Sequence, residues 1–97
     1  MSSEATRRAV DAAIVPLVAS LGPWGVHEGH WLPGRDGHPV LWFRTRTEAE
    51  ATALQGQVWL VAQVQVVLQR VGVPPSDVAR VGLQFSSGQA EARLFEE

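Results

Sequence analysis

The chain contains no cysteine, lysine, asparagine or tyrosine, and several of these absences exclude a class of chemistry. Without cysteine there is no thiol nucleophile, no thiolate zinc site and no disulfide, and we expect an intracellular protein. Without lysine, Schiff-base catalysis and a lysine-containing phosphate loop are excluded. No stretch reaches the roughly 20 apolar residues of a membrane helix. Residues 1–22 mix apolar with charged side chains and do not resemble an export signal. These features predict a cytoplasmic location.

Charged residues are few. The eight cationic residues are all arginine, and ten acidic residues bring the net charge to −2. This balance argues against binding nucleic acid over a broad surface, which requires several phosphates to be neutralised at once. A local basic patch remains open. The abundance of arginine, alanine and valine is typical of a GC-rich bacterial genome, and 97 residues correspond to one domain, residues 1–97.

The nucleophilic side chains form no catalytic signature. No serine lies in the glycine-flanked turn of an acyl-transfer nucleophile. The glycine-containing segments 22–25 and 34–37 lack the lysine of a phosphate loop. We therefore expect a non-enzymatic protein without a cofactor.

The first half of the chain predicts a helix followed by two strands. Apolar residues recur at the spacing of one helical face at Val10, Ile14, Leu17 and Leu21. Pro16 interrupts this pattern, which predicts a kink or two short helices. Residues 24–32 predict an irregular strand and residues 40–46 a regular one. Glycine, aspartate and proline between them indicate a hairpin connection.

The second half predicts a long helix and two more strands. Thr47 and Glu50 have the spacing of a capping box, and the glycine and prolines of residues 72–75 end a helix over 47–71. Residues 57–69 also alternate like a strand, but such a strand would exceed the usual length. Continuity of the helix through Gly56 is left open. Residues 80–85 and 90–95 alternate as strands around a turn at residues 86–88.

The resulting element order is α-β-β-α-β-β. It predicts an α+β fold in which an antiparallel sheet carries helices packed on one face. The alternating strands indicate that the other sheet face is exposed or covered by a partner.

The histidine-rich segment 27–31 raises the question of a metal site. His27 and His30 are three residues apart and would point to opposite faces of a strand. Glu28 and His30 would share a face, with His38 across the hairpin, and these three are the only candidate ligand set. Polar surface or loop histidines are the favoured interpretation, so we expect no metal.

The segment VLWFRTR predicts the main interaction surface. If Leu41 and its alternate neighbours are buried, the opposite face presents the remaining side chains of this strand: Val40, Trp42, Arg44 and Arg46. Tryptophan and arginine are enriched in protein-binding hot spots, and the same pair suits single-stranded nucleic acid. A third interpretation is that the chain itself covers Trp42.

The second predicted helix is apolar nearly all round beyond Trp59. Such a helix is normally buried on all sides, and one sheet can cover only one side. The first helix and the loop at 74–78 could cover the apolar surface of this helix that the sheet leaves exposed. The favoured alternative is a homodimer with Trp59 and Val66 at the contact.

These observations predict a small, cytoplasmic bacterial protein–protein interaction module, chaperone-, adaptor- or inhibitor-like and homodimeric, whose partner the sequence does not identify. The alternative is a single-stranded nucleic-acid-binding protein that uses Trp42, Arg44 and Arg46.

Overall fold

The computed structural model describes residues 4–88. In chain order the elements are α1 (Glu4–Leu21), a 3₁₀ helix (Gly22–Trp24), β1 (Val26–Pro33), β2 (Pro39–Thr45), α2 (Glu48–Gln55), α3 (Trp59–Arg70), α4 (Pro75–Ala79) and β3 (Gly82–Ser87). The α+β class is confirmed. The strand predicted over residues 90–95 lies outside the described residues.

The sheet has the strand order β1-β2-β3 and is mixed. β1 and β2 form the expected antiparallel hairpin, whereas β3 runs parallel to β2. The prediction of an antiparallel sheet was therefore wrong for this pair. β3 runs parallel to β2 because the connection between them is long. α2, α3 and α4 together carry the chain back to the end of the sheet where β2 begins, as a crossover does in a βαβ unit.

The predicted helix over 47–71 is two helices. The capping box of Thr47 and Glu50 is present at the start of α2, but the helix ends at Gln55 and α3 begins at Trp59 after a bend of 82°. Gly56 caps α2, consistent with the low helix propensity of glycine. Within residues 4–88 no single helix has the length and hydropathy of a membrane span, and α2 and α3 meet those criteria only as this bent pair.

α1 is one helix across Pro16 and not two. Proline removes one backbone hydrogen bond there, but Ala13, Leu17 and Leu21 are buried on both sides of it. Burial of this stripe holds the two halves against the same core.

The hydrophobic core joins the helices to one face of β2. Leu41 and Phe43 are fully buried there, and the core adds residues from all four helices: Val10, Ala13, Leu17, Leu21, Leu54, Leu60, Val64, Leu68 and Val78. The Trp31 indole N–H donates to the Asp11 carboxylate and ties β1 to α1.

Gly29 allows α1 to lie close to the sheet. A Cβ at this position would be 2.9 Å from Val18 Cγ2 and 3.2 Å from Phe43 Cδ1. Both distances are shorter than ordinary carbon contacts, so any side chain at this position would push the helix and the sheet apart.

Gly29→Ala is therefore expected to lower the free energy of unfolding by about 1–3 kcal/mol through overpacking. Urea denaturation followed by tryptophan fluorescence measures the change. Gly22→Ala is the matched control and should be nearly neutral, since a Cβ there meets nothing within 4 Å. Equal stabilities of the two variants would contradict this account of Gly29.

Candidate functional site

A β-bulge in β1 decides which side chains share the sheet face opposite the core. Val26 pairs with Thr45, but the next pair is Glu28 with Arg44, so His27 is the extra residue. A bulge of this kind shifts the alternation of a strand by one residue. Glu28, His30 and Leu32 consequently lie opposite Arg44, Trp42 and Val40.

We call these six residues of β1 and β2 the open face. None belongs to the hydrophobic core. As the alternation of β2 predicts, Val40, Trp42 and Arg44 are only half-buried while Leu41, Phe43 and Thr45 are buried. Arg46 follows the end of β2 and is exposed. Gly82, Gln84 and Ser86 continue the same three rows onto β3.

The centre of the open face is aromatic. The His30 and Trp42 rings are parallel within 2°, with centroids 6.2 Å apart. Leu32, in the neighbouring row, is 54% exposed. This gives a contiguous apolar and aromatic surface on two adjacent strands, with the large contact area that tryptophan supplies at interfaces.

The charges of the open face cancel. Arg44 Nη1 lies 3.1 Å from Glu28 Oε2, and the two side chains are 37% and 52% exposed. Ion pairs this exposed contribute little to stability. The pair leaves the open face with no net charge from β1 and β2.

The three candidate metal ligands are not brought together. Glu28 pairs with Arg44, His30 stacks on Trp42, and His38 lies at the far end of the hairpin. Within residues 4–88 no group of three histidine or carboxylate side chains could hold a metal ion. One part of the predicted geometry is observed: Glu28 and His30 lie on the same face of β1.

His38 has a different partner that sequence reasoning missed. Its Nδ1 lies 2.8 Å from Asp77 Oδ1, and the side chains are only 20% and 14% exposed. Its backbone N–H donates to Asp36 Oδ1 at 3.0 Å. Asp77 belongs to α4, so the loop predicted at residues 74–78 is wrong, and Pro74-Pro75-Ser76-Asp77 does have the proline and acidic residue typical of a helix start. The pair ties the hairpin connection to α4.

The two predicted dimer contacts lie on α3. Trp59 packs against Trp24, with centroids 5.4 Å apart, and its Nε1 donates to Gln57 Oε1. Val66 is 45% exposed and lies two turns further along α3 on the same side as Trp59. The bend does not remove the apolar surplus that motivated the dimer, because α3 buries only Leu60, Val64 and Leu68 while Val61 and Val66 stay about half exposed. The dimer contact itself stays a prediction.

A feature that the sequence did not indicate is a cleft along β3. It has a volume of about 400 Å³ and is bounded by Leu54, Leu60 and Val61 of the helices and by Leu83, Gln84 and Phe85 of β3. A second cleft of about 380 Å³ lies between α2, where Glu48, Ala51 and Thr52 line it, and the end of β3. No residue of β2 lines either cleft.

Comparison with known proteins adds no family. No family model, curated protein or solved structure matches the chain. The functional argument therefore depends on the geometry described above.

The His38–Asp77 contact should be measurable as a coupling free energy. In a double-mutant cycle with His38→Ala and Asp77→Ala, we expect a coupling of about 0.5–1.5 kcal/mol, since the contact is shielded from water. Urea denaturation of the four proteins gives this value. The more exposed Glu28–Arg44 pair provides the comparison, with a smaller coupling expected from Glu28→Ala and Arg44→Ala. A larger coupling for the exposed pair would contradict the assignment of His38 and Asp77 as the structural tie.

Proposed function

We propose that this protein is a non-enzymatic, cytoplasmic bacterial interaction module of the chaperone, adaptor or inhibitor kind, and that it binds a protein partner through the open face. The observation that supports the proposal is the Trp42–His30 stack, flanked by exposed Leu32 and bordered by a neutralised ion pair. Aromatic anchors surrounded by satisfied polar groups are the usual composition of a protein-binding hot spot.

Electrostatics favour a protein over single-stranded nucleic acid. Nucleic-acid grooves present a continuous positive potential along the backbone together with stacking aromatics. Here Arg44 faces Glu28 at 3.1 Å, and one ring face of Trp42 lies toward His30. Arg46, beyond the strand end, is the only other arginine of the predicted patch. A neutral aromatic surface suits the apolar centre of a protein interface better than a phosphate backbone.

The central test compares two tryptophan substitutions. The wild-type protein, Trp42→Ala and Trp24→Ala are immobilised, and native cytosol is passed over each after nuclease treatment. Trp24 is a matched control because it is also partly exposed but packs against Trp59, away from the open face. We expect one stoichiometric protein to bind wild type and Trp24→Ala, and Trp42→Ala to bind it at least about 30-fold more weakly, the loss typical of a hot spot.

The identified partner is then titrated against the purified proteins. Equal affinity for Trp42→Ala and wild type would rule out the open face as its site.

A second test addresses nucleic acid directly. Fluorescence anisotropy with a labelled single strand of about 15 nucleotides should show no binding by the wild-type protein at physiological salt. Binding that weakens steeply between about 50 and 200 mM salt, and that disappears in the Arg44→Ala/Arg46→Ala double variant, would replace the protein partner with nucleic acid.

A further inference from the structure

The side of α3 that faces away from the core is apolar and exposed. The buried residues of this helix are Leu60, Val64 and Leu68. Val58, Ala62 and Val66, which we call the outer stripe, have the same spacing of four but lie about 160° away around the helix. Val58 is 94% and Val66 45% exposed, and Ala62 is exposed as well. Residues 4–88 therefore leave the outer stripe uncovered.

The charge distribution distinguishes α3 from α1. The exposed positions of α1 carry four charged side chains in its first two turns: Glu4, Arg7, Arg8 and Asp11. Residues 51–69, in contrast, contain no charged residue. A helix that faces water normally presents charged and polar side chains on its outer face. Contiguous exposed apolar surface is instead typical of a protein contact.

Two tryptophans widen this apolar surface at the start of α3. Trp59 follows Val58 in the chain and packs against Trp24, with ring centroids 5.4 Å apart. Trp24 is itself 39% exposed. The apolar surface therefore continues from the outer stripe onto the 3₁₀ helix, and tryptophan supplies a large contact area at interfaces.

The outer stripe is symmetric about its central residue, because a valine lies four residues to either side of Ala62. In a contact with two-fold symmetry, the residue at the axis meets its own copy, and a residue before it meets one after it. Two copies of α3 that cross at Ala62 in the antiparallel sense therefore bring each Val58 next to Val66 of the other copy. Rows of residues four apart are the ridges of the commonest class of helix packing, and the small alanine side chain permits close approach.

The nearest charges do not oppose this arrangement. Arg70 is the first charged residue after the outer stripe and lies eight residues from Ala62. At about 1.5 Å per residue, the two copies of Arg70 would be roughly 24 Å apart along nearly antiparallel helices. This separation is about three Debye lengths at physiological salt, so their repulsion is screened.

We propose that this chain forms a homodimer in which α3 crosses α3 of a second copy at Ala62. The contact buries the outer stripe and is bordered by Trp59. The open face lies on the side of the sheet opposite the core, whereas α3 packs on the core side. The dimer is therefore independent of the proposed function.

The first test places charge at the symmetry axis. Glutamate and arginine are good helix formers and Ala62 is exposed, so Ala62→Glu and Ala62→Arg should leave each chain folded, which circular dichroism checks. Wild type is expected to sediment as a dimer. Each variant alone should raise the dimer dissociation constant at least about tenfold through like-charge repulsion, and an equimolar mixture of the two should dimerise again. Leu32→Glu, which changes an exposed apolar residue of the open face, is the matched control and should remain dimeric.

The second test uses the absence of cysteine from the chain. A disulfide requires two Cα atoms within about 7 Å of each other, and the axis brings the two copies of position 62 together. Ala62→Cys should therefore form a covalent dimer under mild oxidation, seen by non-reducing gel electrophoresis. Gln69→Cys is also exposed on α3 but lies seven residues from the axis, which separates its two copies by about 21 Å. It should remain unlinked.

Three outcomes would overturn the proposal. A wild-type chain that stays monomeric at high concentration would exclude the dimer. Charge variants at Ala62 that dimerise as well as wild type would show that α3 is not the contact. Equal cross-linking of Ala62→Cys and Gln69→Cys would reject an axis at Ala62. Partner capture plays no part in these measurements, so they are read separately from the test of the proposed function.

Discussion

The rest of the structure depends on the burial of one face of β2. Leu41 and Phe43 are fully excluded from water, and residues from all four helices pack around them. Because side chains of a strand alternate between faces, burying these two leaves Trp42 and Arg44 on the other side. The core and the proposed binding surface are thus two consequences of the same alternation, separated by one residue along the chain.

The approach of α1 to this core sets the geometry of β1. Gly29 lies on the core side of β1, against Val18 and Phe43, and the bulge at His27 brings it there. The same bulge places Glu28 opposite Arg44. Without the extra residue, the charge that neutralises Arg44 would lie on the wrong side of the strand, and the open face would be more basic.

The helical crossover explains the bend between α2 and α3. The chain must return from the end of β2 to its start to place β3 parallel to it, and the 82° bend between α2 and α3 redirects it while Leu54 and Leu60 both stay buried. Two clefts remain between these helices and β3. Exposed apolar surface nevertheless remains on α3, where Val61 and Val66 are 46% and 45% exposed.

Local periodicity was sufficient to predict α1, the capping box at Thr47, the hairpin and the two faces of β2, because each is a property of residues close together in sequence. The tertiary structure decided the features that depend on where distant segments meet. The direction of β3 follows from the path of the three helices before it. The end of α2 at Gln55 follows from the competition between helix continuation and core burial. The partner of His38 follows from the position of α4. The Gly29 contact and the bulge likewise arise from the packing of α1 on the sheet, which no single segment encodes. Sequence alone therefore determined which side chains could form a core and which could lie on the opposite face of the sheet, and only the three-dimensional packing determined which of them are neighbours.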